Sequence, residues 1–149
     1  MFEIKYSLSG NASSDVTKAD ETDLRYNLFL GSLILKTQKK SIIIDWDWIP
    51  LIDFAICLLA ICNNLLTKIK GEEEFEFTES DAKVFFQRNG DRIKIVTSFS
   101  DQVLEMSFEE FQKGVKMFYK NLLFEIVGKV QEIKYNSSFI EYLKEAGKL

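Results

Sequence analysis

The sequence predicts an α+β domain, in which an antiparallel sheet of about six strands packs against a buried central helix and against helices near the C-terminal end. Three observations predict this class. Residues 51–62 form an apolar run interrupted only by Asp53, segments of alternating apolar and polar residues stand on both sides of it, and a long amphipathic segment follows. The 149 residues, 46% of them hydrophobic, have the size and composition of one folded domain. We therefore expect residues 1–149 to form a single domain.

The segments before the central helix predict a strand and a hairpin. Apolar and polar residues alternate over 2–8, as in a strand with one buried face. Residues 9–23 are rich in Ser, Asn, Asp and Thr and predict a long surface connection. In residues 26–36, apolar side chains occupy both odd and even positions and would lie on both faces of a strand. This pattern is typical of a strand at the centre of its sheet. A polar reversal at 38–40 and a β-branched run over 42–44, which leads into Asp45-Trp46-Asp47-Trp48, complete the expected hairpin.

The central helix is expected over about residues 50–69. Pro50 suits the first helical turn, where its missing N–H is not needed, and Gly71 is placed to end the helix. The apolar run 49–62 raises the alternative of a membrane span. That run has only 14 residues and contains Asp53, whereas a span needs about 20 apolar residues. We therefore interpret the segment as a helix enclosed by the domain.

Further strands are expected after the central helix. Strand patterns occur over 74–78, 84–86, 93–97 and 102–106. Between the second and third of these, Asn89-Gly90 predicts a type I′ hairpin turn, because both residues tolerate positive φ angles. An antiparallel meander is the expected arrangement.

Two helices are expected in the last third of the chain. Ser107-Phe108-Glu109-Glu110 is a capping box that begins a helix over about residues 108–127. Apolar residues recur along this segment at three- and four-residue spacing, which predicts one buried stripe. Asn136 is placed to cap a final helix over about residues 138–146.

Composition and charge exclude several classes of function. The net charge of −4 argues against general attraction to nucleic acid or to an anionic membrane surface. The chain contains no histidine, which removes Ser-His and Cys-His pairs and most zinc sites. Since no catalytic, metal or cofactor motif is present, we expect neither an enzyme nor a cofactor.

The cysteines and the start of the chain indicate a cellular compartment. Cys57 and Cys62 lie about 140° apart around the predicted helix, so they cannot easily pair. We interpret them as buried thiols in a reducing compartment. Met1 leads directly into a strand pattern rather than into a signal sequence. The expected location is the cytoplasm.

The strongest charge feature extends from Gly71 to Ala82 and contains six acids and no cation. If Phe75 and Phe77 point inward, Glu74 and Glu76 share the outward face, and the charges of the stretch form a field that would steer a basic protein surface. Charges on a solvated edge strand also prevent aggregation, and this interpretation fits the same residues. Both interpretations stay open. The six acids are Glu72, Glu73, Glu74, Glu76, Glu79 and Asp81.

A second candidate group lies just before and inside the central helix. Asp45, Asp47 and Asp53 would suit a divalent cation or a carboxylate enzyme if they converged. Polar residues are common at strand ends, and further ligands are lacking, so we predict no metal site. Trp46 and Trp48 continue an apolar strand face, where they either cover the core or anchor a partner.

Four motifs follow one another within about residues 26–127: Asp-Trp-Asp-Trp-Ile-Pro-Leu-Ile-Asp-Phe-Ala, Phe-Glu-Phe-Thr-Glu-Ser-Asp-Ala, the Asn-Gly hairpin and Ser-Phe-Glu-Glu-Phe. In this layout, in size and in acidity, the chain resembles small bacterial α+β immunity proteins of polymorphic toxin and contact-dependent inhibition systems. The resemblance carries over no functional residue. It implies a cytoplasmic inhibitor that binds one cognate toxin, often a basic nuclease, and blocks its active site or a neighbouring surface.

Two functional hypotheses result. The first is an immunity protein that binds and neutralises a cognate toxin, with no nucleic-acid or membrane partner. The second is a small-ligand binding module with an aromatic cavity between the sheet and the central helix. Under the first hypothesis, the expected partner-binding residues are Glu72, Glu73, Glu74, Glu76, Glu79, Asp81, Asp45, Asp47 and Trp48.

Overall fold

The computed structural model describes residues 1–9 and 15–149 and confirms the α+β class. Its seven strands form two antiparallel sheets rather than one sheet of about six strands. Sheet A contains β1 (Glu3–Leu8), β2 (Leu30–Lys36) and β3 (Ser41–Pro50) in that order. Sheet B contains β4 (Lys70–Glu76), β5 (Lys83–Asn89), β6 (Arg92–Thr97) and β7 (Leu104–Ser107), also in chain order.

No backbone hydrogen-bond ladder joins the described strands of the two sheets. Aromatic side chains of the two sheets pack against each other instead. The Trp46 ring lies 5.0 Å from the Phe77 ring and 4.9 Å from the Phe99 ring, centroid to centroid. The three strands before the central helix α1 (Leu51–Leu66) form sheet A, and the four strands after it form sheet B. The strands expected in one sheet are thus divided between two.

Helix α1 is the enclosed element that the apolar run predicts, with nine buried residues from Leu51 to Leu65. Its C-terminal end comes earlier than the expected residue 69, and Gly71 lies in β4. Arg88 of β5 explains the end, since its Nη1 donates to the carbonyl oxygens of Leu65 and Leu66 at 2.6 and 3.2 Å. The last carbonyls of a helix have no partner within it. Leu65 O also accepts the Lys68 N–H at 3.1 Å, and Arg88 brings a cation from the sheet to both carbonyls.

A membrane span was the alternative for this part of the chain. Among residues 1–9 and 15–149, no helix is both long enough and apolar enough to cross a bilayer.

The two C-terminal helices begin where their caps predict. Helix α2 (Phe108–Lys129) has Ser107 as its N-cap, whose Oγ accepts the Glu110 N–H at 3.0 Å. Helix α3 (Ser137–Gly147) is capped by Asn136 in the same way. Along α2, Phe111 contacts Phe2 of the first segment and Phe86 of β5, with ring centroids 5.9 and 5.6 Å away. Helix α2 therefore packs on both sheets.

The connection from β1 to β2 contains more structure than its composition predicts. Residues 10–14 lie outside the described residues, and a 3₁₀ turn covers Val16–Lys18. A short π-helix covers Asp23–Leu28, so β2 begins at Leu30 rather than at residue 26. Strand β2 lies between β1 and β3, which confirms the central position expected from its two apolar faces.

The Asn-Gly hairpin is present, with its turn one residue later than expected. Asn89 pairs with Arg92, so Gly90 and Asp91 are the two central turn residues. Gly90 has a φ of 66°, and neither Asn89 nor Asp91 has a positive φ. A positive φ at the first central residue alone is the pattern of a type II′ turn, not of the expected type I′ turn.

Candidate functional site

The acidic stretch forms one edge of sheet B. Strand β4 pairs only with β5, and Phe75 and Phe77 are buried while Glu74 and Glu76 are exposed. Glu72 has the same parity as Glu74 and is also exposed. Three carboxylates therefore stand on the outer face of an edge strand.

Two of the six acids are engaged by neighbouring side chains. Glu73 accepts a hydrogen bond from Asn64 Nδ2 at 2.8 Å and lies 3.9 Å from the Lys68 ammonium. Glu74 lies 3.4 Å from the Lys83 ammonium. The others are exposed, and within the described part of the chain no cation lies within 4.0 Å of their carboxylates, which leaves their charge free for a partner. These are Glu72, Glu76, Glu79 and Asp81.

The turn after β4 brings part of this charge against an aromatic surface. Phe77 and Ala82 close the turn, with Phe77 N–H donating to Ala82 O at 3.1 Å. Glu79 of this turn and Trp48 of β3 both line an open groove of about 740 Å³. The groove, called here the Trp48 groove, is lined by Tyr26, Asn27, Leu30, Trp48, Pro50, Thr78 and Glu79.

The two tryptophans pack on the core together, and one of them also lines the groove. Their rings stack at 5.4 Å and 15°, and both side chains are half-buried. Trp46 packs against Phe77 and Phe99, and the Trp48 ring lies 6.5 Å from the Phe77 ring. Trp48 and Tyr26 are the aromatic side chains that line the groove, and these residue types supply much of the binding energy at protein interfaces.

Asp45 and Asp47 do not line the Trp48 groove. They lie close to each other beside Ser32 of β2. Between the pairs Gly31–Ile49 and Leu33–Ile44, Ser32 of β2 stands opposite residues 45–48 of β3, so β3 bulges. Ser32 Oγ donates to Asp45 Oδ1 at 3.2 Å or to Asp47 Oδ1 at 3.1 Å. Asp47 has a φ of 63°, which aspartate tolerates better than most residues.

Asp53 does not join Asp45 and Asp47, because it is buried in α1 and paired with a cation. Arg25 of the π-helix donates from Nε and Nη2 to Asp53 Oδ1, at 2.9 and 2.5 Å. Within residues 1–9 and 15–149, no three His, Cys, Asp or Glu side chains are grouped so that they could hold a metal ion. The three aspartates thus serve two separate local structures.

Sequence reasoning missed Tyr26 and Arg25. Tyr26 is 37% exposed and lines the groove, and the adjacent Arg25 guanidinium lies 5.7 Å from its ring. A signal for Arg25 existed, since a carboxylate inside an apolar helix requires a cationic partner. Sequence alone does not say which of the 19 cations supplies it.

Burial and the nearby Asp53 charge make the Cys57 thiol a weak acid. Burial and, secondarily, the Asp53 charge raise the pKa of Cys57 to about 11. Burial lowers the pKa of Arg25, yet its hydrogen bond and charge interaction with Asp53 outweigh this and raise it. Near neutral pH the thiol is protonated and a poor nucleophile, and the Arg25–Asp53 pair links the π-helix to α1.

Comparisons of the chain with protein-family models, with curated proteins and with solved structures found no match.

Proposed function

We propose that this chain binds a basic partner protein through the Trp48 groove and the acids of β4 and its following turn. The observation that carries the proposal is the position of Glu79 and Trp48 in one groove. An aromatic anchor beside unpaired acids combines the two features that a protein partner with a basic surface would use.

The two features make different contributions to binding. Trp48 and Tyr26 offer large, partly exposed aromatic surfaces whose burial slows dissociation. Glu72, Glu76 and Asp81 are exposed around the same turn and strand, and their field speeds the encounter with a cationic surface. A groove without the acids would bind slowly, and acids without the groove would bind weakly.

The kind of partner that we propose is a cognate bacterial toxin, which the chain neutralises in the cytoplasm as an immunity protein. The resemblance in layout and the acidic edge of sheet B support this proposal. A reading frame for a large secreted toxin next to that of this chain would strengthen it.

The packing of the core favours this proposal over the ligand-binding alternative. That alternative needs an aromatic cavity between a sheet and α1. The Phe54 ring of α1 instead packs at 4.9 Å from Phe75 and at 6.2 Å from Phe77, and all three rings are buried. Aromatic side chains fill the space that a small ligand would occupy.

The test begins with the partner, captured from the native cell on the immobilised chain and identified. The binding kinetics of the purified partner are then compared for the wild type, for the triple variant Glu72→Lys, Glu76→Lys, Glu79→Lys and for Trp48→Ala. The matched control reverses three exposed acids elsewhere, Asp101, Glu132 and Glu141, and makes the same change in net charge.

We expect the triple variant to lower the association rate about 10-fold or more at low salt, with a weaker salt dependence than the wild type. Trp48→Ala should raise the dissociation rate about 10-fold or more. The control should retain most of the wild-type association rate. If the control and the triple variant behaved alike, only net charge would matter and the proposed surface would be rejected.

A further inference from the structure

The outer face of sheet A carries an exposed apolar pair at its centre. Ile34 of β2 stands directly opposite Ile43 of β3 in the antiparallel register. Ile43 is 63% exposed, and its neighbours Ile42 and Ile44 are fully buried on the other face. The two isoleucines separate two shallow grooves, each of which both residues line. This pair is the hydrophobic centre of an otherwise polar sheet face.

Charges of opposite sign stand at the two ends of this face. Lys36, Lys39 and Lys40 lie at the β2–β3 hairpin and line the groove on that side. Asp45 and Asp47 lie beyond Ile43 at the bulge, where both are exposed. Within the described residues, none of these five side chains has an opposite charge within 4.0 Å. Glu3 of β1 stands opposite Lys36 and is exposed, so the lysine end carries three cations and one acid. The face is therefore apolar in the middle, net basic at one end and acidic at the other.

We infer that this face binds the same face of a second copy of the chain. A two-fold axis that runs across the strands at the level of Ile34 and Ile43 reverses the strand direction of the second copy. The isoleucines of the two copies then meet, and the lysine end of each copy lies over the aspartate end of the other. Symmetric dimers require such a self-complementary patch.

The same charge arrangement excludes simpler occupants. A polyanion such as nucleic acid would meet Asp45 and Asp47 at one end, and a uniformly basic protein would meet the lysines at the other. The face fits a partner that carries an apolar centre between charges in the reverse order. A second copy carries that pattern by symmetry.

The size of the face sets the strength of the dimer. Three strands about 4.8 Å apart and about six residues long cover roughly 14 by 20 Å. This is smaller than a standard interface of about 800 Å² per partner. Lys5 of β1 stands opposite Ile34 in the strand register. In the dimer it would lie near Lys5 of the second copy at the solvent-exposed rim, where solvent screens the repulsion between the two ammonium groups. The dimer is therefore weak and reversible.

Sedimentation of the full chain at concentrations from roughly 5 to 500 µM tests this inference over the range expected for a small interface. The first variant is Ile43→Glu, which places a charge at the apolar centre. Its matched control is Ile69→Glu, because Ile69 is 72% exposed outside sheet A. Circular dichroism verifies that each variant is folded.

Two charge variants make the test specific for the symmetric arrangement. Lys39→Glu with Lys40→Glu makes both ends of the face acidic. Asp45→Lys with Asp47→Asn removes the acidic end, and asparagine still tolerates the positive φ at residue 47. Each variant alone should lose self-association, and an equimolar mixture should recover it as a heterodimer.

We expect a concentration-dependent wild-type dimer that Ile43→Glu weakens about 10-fold or more and Ile69→Glu leaves unchanged. A wild type that is monomeric throughout, or a dimer that survives Ile43→Glu, would overturn the inference. A monomer that binds a DNA oligonucleotide or anionic vesicles through the lysines would overturn it in favour of that ligand. Toxin binding through the Trp48 groove is unaffected by Ile43→Glu, so the two proposals fail separately.

Discussion

At the scale of single residues, one buried ion pair connects the π-helix to α1. Asp53 is the only charged residue in the apolar run that becomes α1, and its side chain is 6% exposed. It is stabilised because Arg25 donates two hydrogen bonds to one of its oxygens. The pair anchors the π-helix on α1, and the next residue, Tyr26, lines the Trp48 groove. A buried structural ion pair thus positions a residue of the candidate binding surface.

Asp53→Asn should lower the free energy of unfolding by about 2 to 3 kcal/mol, because it leaves the partly buried Arg25 without its counter-charge. Urea denaturation followed by tryptophan fluorescence measures the change. Glu21→Gln is the matched control, since Glu21 also pairs with Arg25, at 3.6 Å, but its side chain is 62% exposed. The control should cost less than about 0.5 kcal/mol. Equal effects of the two variants would contradict the structural role given to Asp53.

At the scale of elements, packing overrides a local preference in α2, whereas β3 keeps its side-chain alternation. Asp45 and Asp47 stay on the outer face with Ile43 through the bulge, and Trp46 and Trp48 stack together. In α2, Gly114 faces the start of β1, and a Cβ there would lie 2.5 Å from Phe2 Cδ2 and 2.9 Å from Phe2 O. The helix approaches sheet A closely only because residue 114 has no side chain.

Gly114→Ala should destabilise the protein by about 1 to 3 kcal/mol through overpacking, although alanine favours helices. Gly128→Ala, in the same helix, is the control, because a Cβ at residue 128 has no heavy atom within 4 Å. It should stabilise the protein by about 0.5 to 1 kcal/mol. Thermal unfolding of the two variants compares them directly, and a stabilising Gly114→Ala would refute the close helix–strand contact.

At the scale of the whole molecule, the burial of several thiol and phenol groups makes the free energy of unfolding depend on pH. Burial raises the pKa of Cys62 to about 12, and burial followed by the Glu125 charge raises that of Tyr6 to about 12. Burial and the Glu21 charge raise the pKa of Tyr142 to about 12, and burial also raises that of Tyr119. All of these groups are held protonated in the folded state at pH values where the unfolded chain releases the protons.

From neutral pH the free energy of unfolding should therefore be constant up to about pH 8, where the unfolded thiols begin to ionise, and should fall as the pH rises to about 12. The sign follows because a raised pKa means that the folded state binds more protons over this window. Urea midpoints measured across the window test it. A Cys57→Ser, Cys62→Val variant should show a smaller slope near pH 9 to 10 than the wild type. A flat profile in the wild type would contradict the burial of these groups.

The sequence by itself determined most of the elements of this protein, although not the 3₁₀ turn and the π-helix between β1 and β2. Period-two and three-four patterns, the Ser107 and Asn136 caps and the Asn-Gly hairpin depend on contacts between residues near in the chain. The α+β class, the enclosed α1, the central position of β2 and both C-terminal helices followed from them. The candidate acids of β4 and Trp48 were found in the same way, because charge runs and aromatic residues are visible without coordinates.

Only the tertiary structure decided which elements and side chains meet. The division into two sheets, the early end of α1 under Arg88, the Arg25–Asp53 pair and the Trp48 groove all join residues far apart in sequence. Local sequence does not distinguish which of many cations pairs with a given acid. The partner is fixed only when the core packs and brings the two side chains together. Local patterns therefore fix what each segment becomes, and packing fixes the surfaces that those segments form together.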